Sequence, residues 1–136
     1  MSNIIMGILQ IIWVILFIGF WLSFYLTEYK KGKMSEVDYK HELSFPLPDL
    51  GWITPNLIIA AIGTFMDQPF GYFFSALAGS GMMFLGFIDL AFNLQNGRFK
   101  REKYGFDAIV SICVVVLTLI FAPIFIIYGA FGLNIL

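Results

Sequence analysis

The sequence predicts an all-α polytopic membrane protein, an antiparallel bundle of four transmembrane helices with both termini outside (N-out/C-out). Three observations carry that prediction. Of 136 residues, 60% are hydrophobic and 12% charged, whereas a soluble domain carries about 25% charged residues. Four apolar runs approach or exceed the roughly 20 residues that a helix needs to cross ~30 Å of hydrocarbon. All eight Lys and Arg fall within two of the connecting segments.

The elements follow in order. Residues 4–26 form the first span, uninterrupted apart from Gln10 and Ser23. It begins almost at Met1, has no Lys or Arg before it, and is too long for a signal-peptide core. No small-residue cleavage site follows, so it reads as a retained helix. The loop 27–49, "TEYKKGKMSEVDYKHELSFPLP" and onward, sets Lys30, Lys31, Lys33 and Lys40 against Glu28, Glu36, Asp38 and Glu42. It reads either as a solvated connector or as a short amphipathic helix over 35–43 with Ser35 as its N-cap.

Residues 50–66 form a short second span interrupted by Pro55. A helix starting at Pro55, capped by Thr54, would leave twelve residues before Asp67, too few to cross. Irregular backbone is therefore expected between 49 and 56, where it must be buried in protein or line a cavity. Residues 70–94 and 106–133 are the third and fourth spans, separated by the loop 95–105. Pro123 is expected to bend the last.

Arg98, Lys100, Arg101 and Lys103 occupy the 95–105 loop, and neither terminus nor the Asp67-Gln68-Pro69 turn carries a cation. Short cytoplasmic loops hold the Lys/Arg excess, so both basic loops are expected in the cytoplasm. This is a single transmembrane domain in the cell membrane.

The third span carries the most informative pattern. Gly71, Ser75, Gly79, Met82, Gly86, Asp89, Asn93 and Asn96 recur at steps of three and four, which keeps them on one helix face. Gly71, Ser75, Gly79 and Gly86 give that face the small residues that let helices approach closely in lipid. Their expected role is packing within the bundle, with a homodimer face as the alternative. Asp89 then points into the bundle. An intramembrane carboxylate costs about 2.5–3.5 kcal/mol on insertion scales and reads as functional by default. At the same depth the second span offers Asp49, Trp52, Thr54 and Asn56, and the fourth offers Asp107 and Ser111.

The candidate pocket is therefore Asp89, Asn93, Asn56, Asp49, Trp52, Thr54 and Ser111. It supports three functions: a non-enzymatic binding or accessory protein holding a lipid or hydrophobic small ligand on the cytoplasmic side; a proton-coupled small transporter using Asp89; or a carboxylate- and metal-dependent enzyme using Asp49, Asp89 and Asp107. A purely structural polar network is the competing account. No Lys or Arg lies within the spans to pair with Asp89, and Arg98 or Lys100 could only reach back from the interface. No catalytic residue, metal ligand or cofactor motif is identified, and His41, the only histidine, makes a poor metal site alone. Cys113, the single cysteine, excludes an internal disulfide or CxxC chemistry and reads as a small buried side chain. A net charge of −1 gives no nucleic-acid affinity. The expected partners are membrane lipids, with a homodimer or another membrane protein possible.

The combination "FPLPDLGW", then "GSGMMFLGFIDLAFNLQNG" and a basic loop, resembles small uncharacterised four-helix integral membrane proteins of prokaryotes. The resemblance covers most of the chain and implies the fold alone. Proteins of the small multidrug resistance type share the length and the four spans. They rely on a membrane-embedded glutamate in their first helix, and this first span has no acidic residue before Glu28.

Overall fold

The computed structural model describes residues 2–29 and 34–135. Lys30, Lys31 and Lys33 of the first basic loop lie outside the described residues. The chain is all-helical, with four segments long and apolar enough to cross a membrane. Helix α1 (Asn3–Phe24) runs on into a π-helical turn, Tyr25–Tyr29. A short helix, α2 (Glu36–Glu42), follows, capped by Ser35, whose hydroxyl accepts the Asp38 N–H at 3.1 Å. Of the two readings of this loop, the helical one describes its second half.

The second span differs most from its sequence expectation. One helical path runs from α3 (Pro46–Pro48) through a π-helical turn, Asp49–Ile53, into α4 (Thr54–Phe65). The irregular backbone expected at 49–56 is this π turn, in which the Thr54 N–H reaches the Asp49 carbonyl. The path thus starts at Pro46, four residues ahead of residue 50, and spans about 30 Å at 1.5 Å per residue. Pro55 follows directly on the π turn, at the second residue of α4, and the helical path passes through it.

Asp67, at a left-handed φ of 53°, turns the chain into α5 (Pro69–Gln95), which starts on Pro69. A short helix, α6 (Arg101–Tyr104), and Gly105, at a φ of 56°, lead to α7 (Phe106–Gly132). Pro123 lies inside α7 without ending it. Cys113 is exposed on the outer surface of α7, not buried as its apolar surroundings suggested.

Lipid supplies no hydrophobic drive between helices, so association rests on close packing and interhelical hydrogen bonds. The small-residue face of α5 supplies the packing. A Cβ on Gly63 would stand 2.5 Å from the Gly71 backbone nitrogen, so α4 and α5 touch backbone to backbone there. A Cβ on Gly79 would meet the Ala122 carbonyl at 2.6 Å, which brings α7 equally close on the other side. Ser75 is fully buried and takes the Gln10 amide N–H at 2.6 Å, tying α1 to α5. Gly86 faces Leu119 and Thr118 of α7. Gly71, Ser75, Gly79 and Gly86 thus all pack inside the bundle.

The helices are arranged in the order α1, α4, α5, α7, each packed on the next. Met6, Leu57, Ala78, Met82 and Phe125, all fully buried, form the common core. Helices α1 and α7, the two ends of this row, do not pack backbone on backbone. At the end holding the Asp67 turn, side chains join them: the Tyr128 hydroxyl donates to Asn3 Oδ1 at 2.9 Å, and the Asn3 amide donates to Asp67 at 2.7 Å. Toward the opposite, basic end, the space between them stays open.

Candidate functional site

That space is a crevice of about 210 Å³. Trp13, Leu16, Phe17, Phe20 and Trp21 of α1 form one wall, and Val110, Ser111, Val114, Leu117 and Thr118 of α7 form the other. The edge-to-face contact of Trp13 with Phe121, centroids 5.6 Å apart, brings the two walls together at its inner limit. Residues 13–21 cover about 12 Å of helix at 1.5 Å per residue. Leu16, Phe20, Val114 and Leu117 at the lips are exposed, and exposed apolar side chains on a spanning helix face hydrocarbon. The crevice therefore opens sideways, at the outer surface of the bundle.

Its basic end is polar. Glu42, Phe45, Asp49, Asp89 and Asn93 line it. Asp49, on the π turn, is buried and accepts the Trp21 indole N–H at 2.9 Å. Asp89 Oδ1 accepts the Asn93 amide at 2.7 Å and lies 3.1 Å from His41 Nε2. The Asn93 amide also donates to the Asp89 backbone carbonyl at 2.7 Å, one turn back, so its orientation is fixed. The His41 ring lies flat on Phe92, centroids 3.5 Å apart and planes within 5°, with Phe45 edge-on. Arg98, only 7% exposed, donates to Glu42 at 2.8 Å and comes within 3.8 Å of Asp38. Helix α2 is thus tied over the polar end by two of its side chains, His41 to α5 and Glu42 to the loop after it.

The sequence reading named some of these residues and misplaced others. Asp49, Asp89, Asn93 and Ser111 come together at the crevice. Trp52, Thr54 and Asn56 do not. Trp52 is half exposed and lies beside Gly81 on another face, Thr54 is buried away from the cavity, and the Asn56 amide turns back onto the Trp52 carbonyl at 2.7 Å. Thr54 and Asn56 lie five and seven residues beyond Asp49, roughly 8 and 10 Å further along the helix, and Trp52 turns to another face within the π turn. Asp107 is exposed and lines a separate cavity of about 530 Å³ beside Arg98 and Lys103. The trio Asp49, Asp89 and Asp107 is therefore not assembled. Among the described residues, no group of three His, Cys, Asp or Glu side chains is placed to hold a metal ion.

Three contributors were missed: His41 as the partner of Asp89, Trp21 as the partner of Asp49, and the α1 wall as a whole. Spacing could have found the wall, because Phe17 follows Trp13 by four residues, and Phe20 and Trp21 follow Phe17 by three and four. Nothing in the sequence pairs His41 with a residue 48 positions away.

Fold and site together define an all-helical protein with four helices long and apolar enough to cross a membrane, and with a crevice that is apolar along its length and acidic at one end. Comparison with protein-family models, with curated proteins and with solved structures gives no match.

Proposed function

We propose that this is a non-enzymatic membrane binding protein that holds one hydrophobic chain of a lipid or lipophilic small molecule between α1 and α7, with the polar head against Asp49, Asp89 and Asn93. The observation that carries the reading is the crevice itself. Two of four helices leave an aromatic-walled gap open to hydrocarbon where closed packing of the remaining bundle shows the chain can fill such space. Pockets of this kind, mostly apolar with a few convergent polar groups, are the usual form of ligand sites. The Lys/Arg distribution supports a cytoplasmic position for the polar end and an outside position for both termini.

Photocrosslinking tests the reading. Benzoylphenylalanine at Val114, on the crevice lip, is expected to capture one discrete adduct mass in cell membranes. At Val116, 47% exposed on α7, it is expected to capture the bulk lipid mixture. The same mixture at both positions would remove the proposal.

A further inference from the structure

The geometry points to a protonated amine on a single hydrophobic chain as the ligand class this crevice takes, an inference that rests on the chain-binding reading above. Three carboxylates, Glu42, Asp49 and Asp89, line the cavity, and among the described residues no Lys or Arg does. Glu42 is matched by Arg98, and Asp89 by His41 and Asn93. Asp49 is matched by a neutral indole N–H alone, and among the described residues it has no cationic partner.

A second observation is independent of these charges. Asn93 is 2% exposed and lines the cavity, yet its Oδ1 has no hydrogen-bond partner. What the site leaves unmatched is therefore a carboxylate held only by a neutral donor and an amide oxygen with no partner, both acceptors. An ammonium group brings three N–H donors and no acceptor and would give Asp49 the cationic partner that it lacks among the described residues. A fatty acid would add another negative charge where water is scarce, which like-charged neighbours disfavour. An alcohol could satisfy one acceptor but compensates no charge. The faces of Trp21 and Phe45 at the same end add the aromatic surface that ammonium groups favour.

The test uses Trp52→Phe protein in phosphatidylcholine nanodiscs, so that Trp13 and Trp21, both lining the crevice, report alone. Dodecylamine, dodecanol and dodecanoic acid, each with a bromine at the chain end, are compared as quenchers at matched mole fraction in the bilayer. The amine is expected to reach half-quenching at a mole fraction about tenfold below the other two, a factor of ten being one step in affinity. Asp49→Asn should bring the amine curve onto the alcohol curve. Equal curves for amine and alcohol, or tighter binding of the acid, would overturn the amine assignment and leave the crevice standing. No quenching by any probe beyond that of brominated bulk lipid would overturn both. The three-probe comparison needs no site variant, so it decides the question even if Asp49→Asn does not fold.

Discussion

Asp89 is held by two groups from different elements, and removing it separates their contributions. Its Oδ1 accepts the Asn93 amide at 2.7 Å and meets His41 Nε2 at 3.1 Å. In Asp89→Leu the Asn93 amide keeps its bond to the backbone carbonyl, so the larger loss falls on His41. That side chain is 10% exposed, and a buried polar group left without a partner costs about 1–3 kcal/mol. About 2 kcal/mol of destabilisation is therefore expected. Asp89→Asn keeps an oxygen at the Oδ1 position, which still accepts from the Asn93 amide and from His41 in the tautomer that carries its proton on Nε2. Its cost should stay below about 1 kcal/mol, in the range of one neutral hydrogen bond. Because replacing both partners by apolar groups is close to neutral, Asp89→Leu with His41→Leu should recover at least half of the single-variant loss. Unfolding in mixed micelles with increasing dodecyl sulfate, followed by circular dichroism, gives the four corners of this cycle. Additive penalties for the two leucine substitutions would refute the pairing.

Other predictions follow from the same contacts. Gly63→Ala places a Cβ 2.5 Å from the Gly71 backbone and should cost about 1–3 kcal/mol by overpacking. Gly19→Ala, where a Cβ meets nothing within 4 Å, should be neutral or stabilising by up to about 1 kcal/mol; the same unfolding titration compares the two. Trp21→Phe withdraws the N–H from buried Asp49 and should cost about 1–3 kcal/mol, with Asp49→Leu on the same background restoring part of it. Arg98→Gln breaks the tie to Glu42 and Asp38, so amide exchange over Glu36–Glu42 should quicken markedly. Lys100→Gln, at an exposed position, should leave that exchange unchanged.

Depth along the helices was legible in the sequence, and direction around them was legible only where the helix is regular. On α5 the steps of three and four from Gly71 to Asn93 fixed one face, and those residues do turn inward together. The second span defeated the same logic. Asp49, Trp52, Thr54 and Asn56 belong to one stretch, but Thr54 and Asn56 lie a turn or more beyond Asp49 and Trp52 turns to another face within the π turn, so only Asp49 reaches the crevice. Proline content signalled irregular backbone there without saying that it would be a π turn. His41 was illegible for a different reason. A lone histidine on a seven-residue helix has no periodic neighbours to show which way it faces, and its partners Asp89 and Phe92 belong to another span. The open gap between α1 and α7 is a property of how four helices are arranged, which no single segment encodes.

If a chain occupies that gap, Trp13 and Trp21 are placed to report it. In Trp52→Phe protein, titration with a chain-brominated alcohol should quench their emission along a saturable curve, because a cavity of about 210 Å³ fills once. Val114→Phe, which narrows the gap from the α7 side, should abolish the saturable component. Quenching that rises in simple proportion to probe concentration, and is the same in Val114→Phe, would mean that the two indoles meet only passing lipid and that the crevice binds nothing.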